Sequence, residues 1–166
     1  MTTLTTQQLQ TLKAAIIAET NATFAGYRAN GQTTLMREWL NKDKSPAVNA
    51  WRTSVPPEDS DEATPWPAFD GLAAGKRESW VHGFLRYARD YSRVAVRRWI
   101  TDTWGNATAG SNAESILNTA GLRKITRAEA ILGGSTTATT GTASALKLDW
   151  EGPLSDDDIV DSGYNA

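Results

Sequence analysis

Residues 72–105 read LAAGKRESWVHGFLRYARDYSRVAVRRWITDTWG, the stretch with the clearest helical periodicity and the densest aromatic and arginine content. Trp80, Phe84 and Tyr87 stand at i, i+4 and i+7, with Val81, Leu85 and Ala88 one step round. That spacing makes a wide apolar stripe of helical period. Arg77, Arg86, Arg89 and Arg93 fall on the opposite face. The pattern predicts a helix from Leu72 to Arg89, roughly 27 Å long, around which other elements pack. Asp90-Tyr91-Ser92 breaks the run, and Ser92 is placed to N-cap a second helix. That helix carries Val94, Val96, Trp99, Ile100 and Trp104 and stops at Gly105, where a left-handed residue fits. An unbroken helix through Ser92 is the competing reading.

Toward the N-terminus, Thr5 and Gln8 fit a capping box, with Leu4 and Leu9 as its hydrophobic staple. Leu9, Leu12 and Ile16, with Ile17 beside them, form a buried stripe on a helix ending near Glu19 to Asn21. Phe24 to Ala29 is a further turn or two. A second helix, about Gln32 to Asn41, turns Leu35, Met36, Trp39 and Leu40 inward. Pro46 to Val55 reads as an extended segment or an irregular turn. The acidic run Glu58 to Thr64 is either a short helix opened by Pro57 or a surface loop.

Toward the C-terminus, Ser111 and Glu114 suggest a second capping box, opening a helix from Asn112 to about Leu132 with a kink at Gly121. Gly133-Gly134 ends it. The stretch GSTTATTGTAS, residues 134–144, is low-complexity and reads as a flexible linker or exposed loop. Leu146, Leu148 and Trp150 then alternate with Lys147 and Asp149 at strand period. A lone strand is not stable, so it must pair with the 46–55 segment, with a return through Ser54-Val55, or with another subunit. Ser155 caps a short turn over Asp156 to Val160. The expected fold is mainly α: a helical bundle with an extended C-terminal arm containing a short β-strand or hairpin. Its parts are a helical domain over 1–133, a linker over 134–145, and a strand with an acidic tail over 146–166.

The 166 residues suit one domain with a real core. Seven tryptophans exceed what such a core usually needs, so one or two are expected at an interface. With no cysteine, disulfides and thiolate metal sites are excluded. No apolar run approaches the ~20 residues that span a bilayer, so no membrane partner is expected. MTTLTTQQLQ lacks the basic and apolar regions of a signal peptide, and the expected setting is the cytoplasm of the producing cell. Net charge is −2 but uneven: residues 76–127 hold ten Lys/Arg against four Asp/Glu, while residues 145–166 hold Lys147 against six acids. A basic middle and an acidic tail can attract each other within a chain or between copies.

No reaction is legible. His82 is the only histidine, so a nucleophile–His–acid triad would have to use it and a zinc site would lack ligands. Asp156-Asp157-Asp158 is the one dense carboxylate cluster, but consecutive side chains diverge and the calcium-loop pattern is missing. It reads as favourable charge at a helix start. No phosphate-binding loop occurs. Catalytic residues, metal ligands and cofactors are therefore expected to be absent. Nucleic-acid binding is the main alternative: Arg86, Arg89, Arg93 and Arg97 recur near one helical face, Arg98 and Lys76 add charge, and Tyr87 and Tyr91 interleave. A salt-bridged arginine face explains the same residues.

The order of local phrases resembles a family of tailed-bacteriophage head–tail adaptor (connector or neck) proteins. LKAAIIAE at Leu12 to Glu19, WRTSVP at Trp51 to Pro56, TRAEAIL at Thr126 to Leu132, the Gly/Thr-rich spacer and LDWEGPLSDDDI at Leu148 to Ile159 carry the likeness. The acidic run at Glu58 to Glu62 and the aromatic middle depart from it. The resemblance implies a structural virion protein and no enzyme, forming closed rings of about twelve copies between portal and tail. Its partners would be its own copies, the portal protein and a tail or tail-terminator protein, with a passing contact with DNA. Its location would be the virion neck, and the host cytoplasm during assembly. On this reading Leu146, Leu148 and Trp150 complete a sheet in the ring. Asp156, Asp157 and Asp158 then meet Arg86, Arg89, Arg93, Arg97 and Arg98 of a neighbour.

Overall fold

A computed structural model describes residues 4–165. They form ten α-helical segments and four short strands, so the chain is mainly α with a small mixed sheet. They divide into two compact units. The first holds the residues up to Val48, Lys124–Ser135 and the residues from Leu148 onward; the second holds Asn49–Arg123 and Thr136–Lys147.

The first unit is built on α1 (Thr6–Ala18), α2 (Ala22–Ala29) and α3 (Thr33–Leu40), with α9 (Arg127–Leu132) and α10 (Asp156–Asp161). The Thr5–Gln8 capping box opens α1 as the sequence predicts. Arg28 closes the other end, donating from Nη1 to the carbonyls of Ile16 and Ile17 at 2.6 Å each. This satisfies acceptors that a helix end leaves unpaired. Leu12, Ile16, Phe24, Met36 and Leu40 are buried, whereas Ile17 and Leu35 are exposed.

The C-terminal segment belongs to this core. Leu148, Trp150, Leu154, Ile159 and Tyr164 are buried. The side chain of Asn41 clamps Leu154, donating to its carbonyl at 3.0 Å and accepting from its N–H at 2.9 Å. Buried Glu129 caps α9 at the Thr126 N–H and accepts from the Gly152 N–H. Ser155 caps α10 in a box with Asp158, confirming the expected helix start. The extended arm is therefore not what these residues form here. Their apolar side chains were legible as a strand, but they are also the apolar matter that closes a small helical core.

The second unit holds a core of Trp51, Val55, Trp80, Phe84, Tyr91, Ile100, Ile116 and Leu117 beside a four-stranded sheet. The strands are β1 (Asn49–Trp51), β2 (Leu122–Lys124), β3 (Ser135–Thr140) and β4 (Ala143–Leu148), in the order β2-β1-β4-β3. β1 and β4 run parallel with Ala50 opposite Leu146. Of the three partners open to the Leu146 strand, the 46–55 segment is the one used. The 134–144 stretch is not a linker. Its threonines are β-branched and suit a strand, and Gly141 at φ +60° makes the tight turn into β4. The turn is tied down where Thr142 donates from N–H and hydroxyl to the Ala107 carbonyl.

The central stretch also differs from expectation. α6 (Ala74–Glu78) widens into a π-helical turn over Ser79–Gly83 and tightens into a 3₁₀ turn over Phe84–Arg86. The chain is extended at Tyr87, and Arg89 pairs with Val55 in an antiparallel bridge. Arg93, not Ser92, is the N-cap residue of α7 (Val94–Trp104), which stops at Gly105 with φ +90° as predicted. Ser92 is buried, its hydroxyl held by Asp90. The helix expected over 112–132 is two: α8 (Asn112–Thr119) and α9, separated by β2. Gly121 is no kink but a close approach: a Cβ there would stand 2.6 Å from the Leu117 carbonyl and 3.2 Å from the Trp51 ring. Ser111 caps α8, but the Glu114 carboxylate reaches the Gly110 N–H rather than completing a box. Pro57 opens α4 (Pro57–Glu62), so the acidic run is helical.

Candidate functional site

The four arginines expected near one helical face, and Arg98 beside them, do not form a common surface. Arg97 is buried. Its Nη1 donates to the carbonyls of Tyr91 (2.7 Å) and Ser92 (2.6 Å), its Nε to the Thr140 hydroxyl (2.8 Å), and its guanidinium lies 4.8 Å from the Trp51 ring. Burial lowers its pKa, and the nearby Asp90 charge opposes that. Arg93 pairs with Asp90 at 3.0 Å. Arg98 is exposed on α7. Arg89 donates from Nε to the Phe84 carbonyl at 2.9 Å and from Nη2 to the Gly83 carbonyl, closing the last turn of the irregular helix. Burial lowers its pKa as well, against the opposing pull of Tyr91 and Tyr87. Arg86 is exposed at the end of the 3₁₀ turn. The expected arginine face required one helix through residue 97, and the extended break at Tyr87 to Asp90 removes it.

What that break creates instead is an arginine–tyrosine surface. Tyr87 is 58% exposed, level with Val160 and behind only Val94 among the large hydrophobic side chains of the described residues. The Arg86 guanidinium stands 5.7 Å from its ring centroid and that of Arg89 5.8 Å. Arg89 also stands 4.9 Å from Trp99 and 5.3 Å from Phe84. Its two carbonyl bonds fix the guanidinium, so Tyr87 is held beside a rigid cation rather than a mobile one. Aromatic side chains and arginines are the residues that interfaces concentrate. Of the tryptophans among the described residues, Trp66 is the most open to solvent, at the start of α5 (Trp66–Phe69) and in contact with Phe69.

The other predicted contacts are spent inside their own units. Leu146 is half-buried on β4, a strand with a neighbour on each side, while Leu148 and Trp150 are buried. Asp158 caps α10, Asp156 accepts from Arg37 (3.4 Å) and Thr34 (3.3 Å), and Asp157 is exposed. His82 is exposed in the π-helical turn. Among the described residues no three His, Asp or Glu side chains converge as metal ligands do.

A groove in the first unit, of about 560 Å³, is lined by Glu19, Trp39, Lys44, Arg127, Ala130 and Ile131 among others, and no motif marks it. Arg127 stacks on Trp39 with 4.2 Å between guanidinium and ring, and donates to the Trp39 carbonyl at 2.9 Å. The groove depends on an isolated antiparallel bridge between Asp43 and Thr126, a pairing across 83 positions that no local pattern announces. No known family model matches the chain, and no curated protein and no solved structure matches it either.

Proposed function

We propose that this chain is a non-catalytic assembly protein, a head–tail adaptor of a tailed bacteriophage that forms a ring between portal and tail. Two things support the reading. The ordered set of phrases from Leu12 to Ile159 resembles that family. The observation that carries a docking role is Tyr87, exposed and flanked by Arg86 and a fixed Arg89. In this reading the bundle is the α1, α2, α3, α9 and α10 cluster. The extended arm is left out of the proposal, because releasing it would expose Trp150, Leu154, Ile159 and Tyr164. The neighbour is met instead by the Arg86–Tyr87 surface, whose anchors lose water on docking while the rim keeps it.

The test is attachment of purified protein to portal-bearing heads that lack this chain. Tyr87→Ala and Arg86→Ser are expected to weaken attachment by roughly 2 kcal/mol or more, about thirtyfold, if Tyr87 is a docking anchor. Wild-type protein that fails to attach overturns the reading. Tight, salt-sensitive binding of the isolated protein to single-stranded or duplex DNA favours the nucleic-acid alternative. That alternative has lost its four-arginine face, since Arg89 and Arg97 hold backbone carbonyls.

A further inference from the structure

We propose that the groove of the first unit binds a carboxylate monoanion carried on an apolar body. Its geometry comes from the Asp43–Thr126 bridge, in which the Lys44 N–H donates to the Ile125 carbonyl and the Arg127 N–H to the Lys42 carbonyl. Lys44 and Arg127 both line the groove, so their two long cationic side chains can converge on one small anion. Arg127 is already oriented, because its Nη1 is bonded to the Trp39 carbonyl and its guanidinium carbon stands over the Trp39 ring. A cation fixed before the ligand arrives loses little freedom on binding it. The Lys44 ammonium has no hydrogen-bond or ion-pair partner among the described residues and supplies the second charge.

Charge selects the class of anion. Lys44 and Arg127 bring two positive charges, and Glu19 on the same groove returns one negative charge. One carboxylate Oε of Glu19 is engaged by the Asn21 N–H at 2.8 Å, which holds the acid in place. A net single positive charge matches a carboxylate better than a phosphate dianion. Trp39, Ala130 and Ile131 offer apolar surface beside the cations, and about 560 Å³ is within the range of small-ligand sites. The carboxylate comes either from a free organic acid or from an acidic side chain beside an apolar residue in an extended peptide.

The experiment is an amide and indole NMR titration of the full chain with four probes. They are hexanoate, its neutral isostere hexanamide, hexyl phosphate, and a blocked Leu-Glu dipeptide. Hexanoate or the dipeptide is expected to shift Lys44, Arg127, Ile131 and the Trp39 indole, while hexanamide leaves them in place. Saturation by hexanoate with a weak dipeptide response assigns a free acid, and the reverse order assigns a peptide. Lys44→Gln is expected to weaken binding about tenfold, the scale of one charge-assisted hydrogen bond. Lys44 makes no side-chain hydrogen bond or ion pair among the described residues, and glutamine keeps part of its stem, so this variant separates binding from stability better than Arg127→Gln would. No shift at these residues from either carboxylate overturns the proposal. So does hexanamide binding as well as hexanoate, hexyl phosphate binding more tightly, or an unchanged affinity in Lys44→Gln. The groove shares no residue with the Arg86–Tyr87 surface, so its failure leaves the adaptor reading standing.

Discussion

Replacing Arg97 by methionine tests whether the central arginines hold the fold or serve a partner. Methionine keeps most of the side chain's length and apolar stem but removes the guanidinium. Two buried carbonyls, those of Tyr91 and Ser92, and the Thr140 hydroxyl then lose their donors. Each unsatisfied buried acceptor costs roughly 1–3 kcal/mol. Release of a desolvated charge offsets part of that, as the lowered Arg97 pKa implies. The expected net loss is about 3 kcal/mol, and the lost stacking on Trp51 adds a fraction more. With a urea slope of roughly 1–3 kcal/mol per molar, the midpoint should fall by about 1–3 M. The assay is urea unfolding followed by far-ultraviolet circular dichroism and by hydrogen exchange at Tyr91 to Ile100. Exchange assigns the loss to the second unit rather than to the chain as a whole. A loss below about 0.5 kcal/mol, the range of ordinary surface changes, would refute the structural role. Arg97→Met binding DNA more weakly at unchanged stability would refute it in favour of nucleic-acid contact.

Four further outcomes are expected. Tyr91 is fully buried with its hydroxyl on Ser60, and burial pushes its pKa from 10 up to about 12. The neutral form is therefore favoured in the fold, so its contribution is complete below pH 10. It is lost between pH 10 and about 12, by roughly 2–3 kcal/mol, and Tyr91→Phe should flatten that part of the stability–pH curve. The Glu114 carboxylate accepts from the Thr142 hydroxyl and the Gly110 N–H, which hold its pKa below the usual range. Its contribution is present at neutral pH and lost as the pH falls through that depressed value. Thr142→Val should raise the Glu114 titration midpoint measured by NMR. Gly121→Ala forces a methyl against the Leu117 carbonyl and the Trp51 and Tyr91 rings, and should cost about 1–3 kcal/mol in urea unfolding. Tyr87→Ala removes an exposed ring and should change stability by less than about 0.5 kcal/mol while still weakening attachment to heads.

Local signals in the sequence carried much of the first unit. The Thr5–Gln8 box, the burial of Leu12 and Ile16 on α1 and of Met36 and Leu40 on α3, and the Ser155 cap are each set by neighbours three or four residues away, whereas Leu35 turns outward against the expected pattern. Gly105 ended α7 for a similarly local reason. What failed depended on distant partners. The extended break after Arg86 exists because Arg89 pairs with Val55, and the split at Gly121 exists because Trp51 and Tyr91 leave no room for a Cβ. The 134–144 stretch reads as a linker by composition, but β4 supplies the pairing that turns its threonines into sheet. The candidate site followed the same division. Arginines and tyrosines were visible, but which of them would be spent on carbonyls was decided by that break. Lys44 and Arg127 were brought together by a bridge no periodicity encodes.

The most direct measurement is electron microscopy of intact particles assembled with this chain, at a resolution that traces the backbone. The expected result is a ring of copies at the neck, with the 86–89 loop at a subunit or portal contact and Trp150 still enclosed within its own chain. Particles that carry no copy of the chain, or a ring in which Tyr87 faces open solvent, would contradict it.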